Sequence, residues 1–189
     1  MIKDFDLLQR ANNDYTTIDL EHAEELAYRE LIDSIRYISL GDECGVMGNI
    51  ANIITYKGRF YIQEEQFDRV FIYDDTGRCL KKIDNKGRGP GEYLRIESID
   101  INTEKEELML VDGMSDKLFF YDLDGKFKSI HSILYFQTEN TLCLRDSVFL
   151  HISAPSQNFG NEGLYGYALV LSKGNENFLK GYRYLPLQV

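Results

Sequence analysis

The sequence predicts an all-β fold: a partial β-propeller of about three consecutive four-stranded antiparallel blades, with a short N-terminal helix. The first observation behind this prediction is an internal repeat, because residues 59–83 align without a gap with residues 107–131. A repeat period of roughly 40 to 50 residues is typical of stacked supersecondary units, and propellers are the all-β case. The second observation is that each copy contains four short apolar runs separated by turn residues. Four antiparallel strands of this kind make one propeller blade.

The two clear copies agree at the positions that build strands and turns. Aligned pairs are Asp68 with Asp116, Phe71 with Phe119, Tyr73 with Tyr121, Asp74 with Asp122, and Gly77 with Gly125. The predicted strands are 50–56, 60–63, 69–73 and 79–83 in the first copy, and 96–101, 108–112, 117–121 and 127–130 in the second. Thr-Gly or Asp-Gly separates the last two strands of each copy. Asp-Gly between apolar runs is a strong hairpin signal, because the turn needs positive φ.

A third, degenerate copy follows. Its predicted strands are 142–144, 147–152, 167–171 and 178–182, and a long polar insertion, residues 153–166, separates the second strand from the third. We therefore divide the chain into a lead-in, residues 1–45, and a propeller region, residues 46–189. The blades of that region are predicted at about 46–93, 94–136 and 137–189.

The lead-in is predicted to hold one helix and one strand. Residues 19–33 carry apolar side chains at helical spacing, with Asp19 as a plausible N-cap. Residues 35–40 are β-branched and aromatic, which predicts a strand. Residues 1–43 contain 11 acidic and 4 basic residues, so the lead-in is strongly acidic. Such a segment is either a solvated face or an acidic docking surface.

Composition excludes several classes of protein. The chain has 189 residues, 43% of them hydrophobic and 28% charged, which is ordinary for a globular domain. The formal charge of −10 argues against nucleic acid as a partner, because phosphate backbones are held by clustered Lys and Arg. No apolar run is long enough to predict a transmembrane segment, and the first residues do not resemble a signal peptide. The three cysteines are widely spaced and are interpreted as part-buried free thiols, with a single disulfide left open.

After the first copy comes Gly87-Arg-Gly-Pro-Gly-Glu-Tyr93. This segment, behind a blade-like repeat, resembles the six-bladed β-propeller proteins of Bacteroidetes, which are related to NHL-type propellers. The resemblance covers roughly residues 18–131 well and the rest weakly. It implies a binding protein of the cell envelope, whether periplasmic, outer-membrane-associated or extracellular. This chain departs from the family in having no signal peptide and only about half of the usual length.

Three blades cannot close a propeller ring, which needs about four to eight. We consider three arrangements. The chain could be a fragment of a longer propeller. Two copies could pair as a homodimer that completes the ring. The N-terminal helix and the insertion could instead cap the open blade faces.

Six residues are candidates for binding. Arg88, Glu92 and Tyr93 belong to the glycine-rich segment, whose main role is predicted to be a tight turn between blades. Phe159, Tyr165 and Tyr167 lie in or beside the insertion, where rings in a polar context suit sugar or peptide recognition. The alternative for these three is that they cover an open blade face.

No residue pattern predicts catalysis, a metal site or a cofactor. Residues 74–77 and 122–126 echo pieces of calcium loops but lack the 12-residue loop with its terminal Glu, so they are interpreted as hairpin turns. His22, His131 and His151 show no metal-ligand spacing. The predicted function is therefore a non-enzymatic binding module for a glycan, peptide or protein. The alternatives are an enzyme in the propeller channel, a lyase or hydrolase, or a truncated piece of a longer propeller.

Overall fold

The computed structural model describes residues 32–133, 138, 140–145, 147–152, 167–174 and 177–183. Within these residues the chain forms twelve strands and no helix. They are β1 (Ile50–Tyr56), β2 (Arg59–Glu64), β3 (Arg69–Asp74), β4 (Cys79–Ile83), β5 (Ser98–Asn102), β6 (Glu107–Asp112), β7 (Lys117–Asp122), β8 (Phe127–Ser132), β9 (Asn140–Arg145), β10 (Val148–Ile152), β11 (Tyr167–Lys173) and β12 (Asn177–Arg183).

The strands form three separate four-stranded antiparallel sheets, each in simple sequential order. Sheet 1 holds β1 to β4, sheet 2 holds β5 to β8, and sheet 3 holds β9 to β12. The all-β prediction of consecutive propeller blades is therefore confirmed. The β1–β2 turn shows the expected chemistry, since Lys57 and Gly58 both have positive φ, at 48° and 69°.

Apolar side chains of neighbouring sheets pack face to face. Between sheets 1 and 2 lies the largest cluster, which includes Tyr61, Ile72, Tyr93, Leu110 and Tyr121. Sheets 2 and 3 share a smaller cluster around Met109, Phe120 and Phe149. Because each sheet buries one face against the next, the repeat is stabilised by neighbour contacts, as in other stacked-repeat folds.

The other face of sheet 1 is covered by the end of the lead-in. Cys44 and Met47 pack against a cluster that includes Phe71 and Tyr73. Cys44 also forms a disulfide with Cys79 of β4, with the two Cα atoms 5.9 Å apart. The interpretation of all three cysteines as free thiols was wrong for this pair, because their 35-residue separation gave no recognisable pattern. Part of an open blade face is thus capped from within the chain.

The rest of the lead-in either differs from the prediction or lies outside the residues that the structure describes. Residues 35–40 belong to no sheet, and the side chains of Ile35 and Tyr37 are exposed. This segment instead leads to Gly41, whose backbone N–H donates to the carbonyl of Gly77 at 2.7 Å. The β propensity of residues 35–40 therefore does not produce a strand, because no strand edge among the described residues pairs with them. The predicted helix lies outside the described residues except for residues 32–33, which are not helical.

The sheets have two distinct ends. In each meander, the turn between the second and third strands lies at the same end as the connection to the next sheet. We call this the connection end, and the opposite one, with the β3–β4 and β7–β8 turns, the hairpin end. The hairpin ends of sheets 1 and 2 lie side by side, since Arg59 reaches Asp124 at 2.7 Å and Lys57 pairs with Glu106.

Candidate functional site

The glycine-rich connection between sheets 1 and 2 is a closed loop. The backbone N–H of Gly87 donates to the carbonyl of Tyr93 at 2.9 Å, and the N–H of Tyr93 donates to the carbonyl of Asn85 at 3.1 Å. The Glu92 carboxylate turns back and accepts the N–H of Gly89 at 2.7 Å. A Cβ atom at Gly87 would collide with this carboxylate. Gly87 is therefore explained by close packing against Glu92, and Gly91 by its positive φ of 84°, as the tight-turn interpretation predicts.

Tyr93 anchors this loop in the core between the two blades. Its side chain is 0% exposed, and its ring meets Phe119 edge-on with centroids 6.0 Å apart. Its hydroxyl accepts the N–H of Asn85 at 3.1 Å and donates to the carbonyl of Asp68 at 2.8 Å. Burial raises the pKa of this hydroxyl well above its ordinary value. A binding role for Tyr93 stays a prediction, and in this geometry it would act through the shape of the loop.

Two buried carboxylates hold the loop from either side. Asp68, in the β2–β3 turn, accepts the N–H of Ile96 at 3.1 Å and also pairs with Lys86. Asp112, at the end of β6, accepts the N–H of Leu94 at 2.7 Å. Sequence reasoning did not single out either as a support for the loop. The alignment of Asp68 with Asp116 signalled only an equivalent turn position, where both residues have positive φ in the structure.

Around this loop the connection end presents an exposed surface. Arg88 and Glu92 are exposed on the loop itself. On the turns to either side, Phe67 is 46% exposed and Met114 is 65% exposed. We call these four residues the connection face. The Arg69 guanidinium lies 4.6 Å from the centre of the Phe67 ring, which helps to hold that ring in place.

The second group of predicted binding residues is not brought to this face. Phe159 and Tyr165 lie outside the described residues. Tyr167 begins β11, where its side chain is buried and its ring packs edge-on against Phe178 at 6.1 Å. For Tyr167 this placement favours the covering role over ligand contact, and binding by these three aromatic residues stays a prediction.

His151 lies in a buried polar chain within sheet 3. Its Nδ1 is 2.9 Å from the Thr141 hydroxyl, and its Nε2 is 2.9 Å from the Ser172 hydroxyl. Burial lowers the pKa of His151 to about 4, so the imidazole is neutral near pH 7. The described part of the chain contains no cluster of three or more His, Cys, Asp or Glu side chains able to hold a metal ion. His22 lies outside the described residues.

The calcium-loop echoes are hairpin turns with internal hydrogen bonds. The Asp74 carboxylate accepts the N–H groups of Thr76 and Arg78 at 2.9 and 3.0 Å. The Asp122 carboxylate accepts those of Asp124 and Lys126 at 3.0 and 2.8 Å. Hydrogen bonding to Thr76 lowers the pKa of Asp74. Each carboxylate thus satisfies the backbone of its own turn.

Comparison with solved structures supports the fold. The chain is similar to a "Putative exported protein" of Bacteroides fragilis NCTC 9343, with a TM-score of 0.71 and 19% identity over 81% of this chain and 43% of that one. It is also similar to the structure of U3-55K, with a TM-score of 0.51 and 11% identity over 71% of this chain and 39% of that one. The chain therefore spans less than half the length of each of these proteins. At such identities the likeness shows the fold alone.

The remaining findings concern membrane-spanning helices and two comparisons of sequence. Among the described residues, no helix is long and apolar enough to cross a membrane. None of the curated proteins matches this chain. The six blades and the relationship to NHL propellers stay predictions. The model for the family described as "Domain of unknown function (DUF4934)" matches residues 15–184, and the chain belongs to that family.

Proposed function

We propose that this chain is part of a non-enzymatic propeller of the cell envelope that binds a peptide or protein partner through the connection face. The observation that carries the proposal is the presentation of Arg88. This side chain is exposed on a loop whose backbone is fixed by the buried Tyr93 and by the Glu92 carboxylate. Because the loop backbone is already fixed, binding at Arg88 costs little further backbone entropy.

The residue types on this face suit protein recognition. Aromatic residues, Met and Arg are enriched in protein interfaces, and Arg and aromatic residues dominate their binding energy. Phe67 and Met114 expose apolar surface on the turns beside the loop. A fitting partner would place a carboxylate against Arg88 and apolar side chains on Phe67 and Met114.

The disulfide supports an envelope or extracellular location. Disulfides persist in oxidising compartments and are rare in the cytosol. The Cys44–Cys79 bond joins the lead-in to β4 across a covered face of sheet 1, where it has a structural role. The similar Bacteroides fragilis structure carries an exported-protein name, which agrees with this location. We therefore propose a periplasmic, outer-membrane-associated or extracellular site of action.

Partner binding is tested by affinity capture with matched variants. The disulfide-bonded chain is immobilised and incubated with an envelope extract of the bacterium that encodes it, and captured proteins are identified by mass spectrometry. We expect one partner that is retained by the wild type, lost with Arg88→Ala and reduced with Met114→Ala. Arg78→Ala, an exposed arginine at the hairpin end, is the control and should retain it. Equal retention by the Arg88 and Arg78 variants would refute the connection face.

The location has its own test. Cells expressing the full-length gene product are treated with a thiol-reactive maleimide without reductant. Cys44 and Cys79 should stay unlabelled because they are joined. Labelling of both cysteines in intact cells would contradict an oxidising compartment.

A further inference from the structure

A cleft between sheets 1 and 2, which the proposed function does not use, runs from the β7–β8 turn at the hairpin end along β4 to Asn85. The cleft has a volume of about 290 Å³ and is bounded by β4 on one side and by the β7–β8 turn on the other. Pockets for drug-sized ligands begin at roughly 300 Å³. This cleft is therefore of the right size for a ligand with one or two rings.

Strand pairing places the lining residues. Lys81 pairs with Ile72 in the regular part of the β3–β4 register, so it lies on the face of sheet 1 that meets sheet 2. In sheet 2 the register shifts between Phe120 and Tyr121, which places Phe127 opposite Tyr121, so both rings lie on the face towards sheet 1. Bulges commonly redirect a side chain in this way next to functional sites. Gly125 brings the two sides together, since a Cβ atom there would lie 2.9 Å from Cγ of Lys81.

The cleft is positively charged on a chain that is acidic overall. Lys81, Lys82 and Lys126 line it, together with one acid, Asp124. Asp124 is already paired with Arg59 at 2.7 Å, and Lys82 lies 3.4 Å from Asp84. Lys81 and Lys126 are exposed, and no carboxylate among the described residues lies within salt-bridge distance of either. Two ammonium groups are thus available to an anionic ligand.

A buried, unpaired hydroxyl also lines the cleft. The Tyr121 side chain is 1% exposed, and its hydroxyl makes no hydrogen bond of standard geometry among the described residues, although the Asn85 amide lies close enough to lower its pKa. Buried polar groups nearly always have a partner, and each exception requires an explanation such as a ligand. Burial raises the pKa of Tyr121 to about 12, which keeps the hydroxyl protonated and able to donate.

The cleft also offers an aromatic surface. Phe127 is 40% exposed and is held edge-on against the Tyr121 ring, with centroids 5.7 Å apart. An exposed ring beside polar groups suits a ligand with one apolar face and hydroxyls at its rim. Asn85, which also lines the cleft, adds an amide for such hydroxyls.

We infer that this cleft binds an acidic sugar unit, a uronate. Its carboxylate pairs with Lys81 and Lys126, its ring face lies on Phe127, and its hydroxyls meet the Tyr121 hydroxyl and the Asn85 amide. The cleft and the connection face use different binding side chains, although Asn85 belongs to both: it lines the cleft, and its backbone closes the glycine-rich loop.

The inference is tested by calorimetric titration of the disulfide-bonded chain with digalacturonic acid. Cellobiose serves as the neutral disaccharide and sodium phosphate as the plain anion. We expect saturable binding of digalacturonic acid at about millimolar concentration, no binding of cellobiose, and no displacement by equimolar phosphate. Exchanging both cleft lysines, Lys81→Gln with Lys126→Gln, should weaken binding at least tenfold, since a single charge-assisted hydrogen bond already contributes roughly 1.5 kcal/mol.

Two further variants keep the test specific. Tyr121→Phe removes only the unpaired hydroxyl and should weaken binding several-fold while the urea midpoint stays unchanged or rises. Lys117→Gln, an exposed lysine at the connection end, should bind like the wild type. The inference is overturned if digalacturonic acid does not bind, if the double lysine variant binds it equally well, or if phosphate displaces it, which would indicate a simple anion site.

Discussion

Removing one hydroxyl from Tyr93 should destabilise the chain, whereas removing the same atom from Tyr121 should not. Both tyrosines are fully buried and belong to the same cluster between sheets 1 and 2. The Tyr93 hydroxyl joins Asn85 to Asp68 through hydrogen bonds of 3.1 and 2.8 Å. The Tyr121 hydroxyl makes no hydrogen bond of standard geometry among the described residues, with the Asn85 amide as a weak neighbour. Tyr121→Phe is therefore a control matched in residue type, volume and depth.

The magnitude follows from the groups that each variant leaves behind. Tyr93→Phe orphans the carbonyl of Asp68, which is buried, and the N–H of Asn85, which is only partly buried and can be hydrated again. An orphaned buried polar group costs about 1–3 kcal/mol, so we expect a loss of about 2–3 kcal/mol for Tyr93→Phe. Tyr121→Phe removes a polar atom that has already lost its water, so its free energy of unfolding should stay the same or rise slightly.

The assay is equilibrium unfolding in urea at pH 7, followed by fluorescence or circular dichroism. A shift in midpoint without a change in slope reports stability alone. The reasoning is refuted if the two variants lose similar amounts of stability. It is also refuted if Tyr121→Phe is the more destabilised, because that would mean the assignment of partners to the two hydroxyls is reversed.

Three further predictions use the same unfolding assay. Cys79→Ser should lose up to about 4 kcal/mol of its free energy of unfolding, which is the chain-entropy value for a cross-link that closes a loop of this length, and Cys44→Ser should lose the same amount. A loss below about 1 kcal/mol in both variants would show that the disulfide adds little stability. The pKa of His151 is lowered from 6.5 to about 4, so only the unfolded chain gains a proton as the pH falls through this window. The free energy of unfolding of the wild type should therefore drop by about 3 kcal/mol relative to that of His151→Gln, and parallel pH profiles of the two proteins would contradict this. Gly77→Ala should lower the free energy of unfolding by about 1–3 kcal/mol more than Gly58→Ala does. Both glycines have positive φ, but only Gly77 lies against the lead-in. Equal losses would mean that the lead-in moves aside without a cost in stability.

The strands could be predicted from the sequence because the apolar runs and turns of one repeat copy can be checked against the aligned positions of the other copy. β1 and β4 begin and end where the apolar runs and turn residues placed them. The other strands differ by a residue or two at their ends: most extend past the last apolar side chain because backbone pairing continues there, whereas β5 and β10 begin later than predicted. The strand prediction for residues 35–40 was wrong because a β-branched and aromatic composition does not show whether a strand edge is free to pair with the segment.

The candidate site was only half visible in the sequence. Arg88 and Glu92 could be selected because their glycine-rich context marks a loop, and both are exposed in the structure. Asp68 and Asp112 could not, because their value lies in hydrogen bonds to backbone groups 18 to 28 residues away. The uronate cleft was equally hidden, since it depends on the packing of β4 against the β7–β8 turn and on the register shift that places Phe127 opposite Tyr121. A one-residue shift reverses the face to which a side chain points, and no composition pattern records it.

The two binding surfaces can be separated by experiment because different side chains carry them, even though the Asn85 backbone closes the glycine-rich loop and Asn85 also lines the cleft. Arg88 depends on the closed loop anchored by Tyr93, while the lysines of the cleft depend on β4 and the β7–β8 turn. Arg88→Ala should therefore abolish partner capture and leave digalacturonic acid binding intact, and the double lysine variant should do the reverse. Loss of both activities in both variants would mean that one ligand spans the blade interface from end to end. In that case the Tyr93 anchor, which lies between them, would be the position through which binding at one end reaches the other.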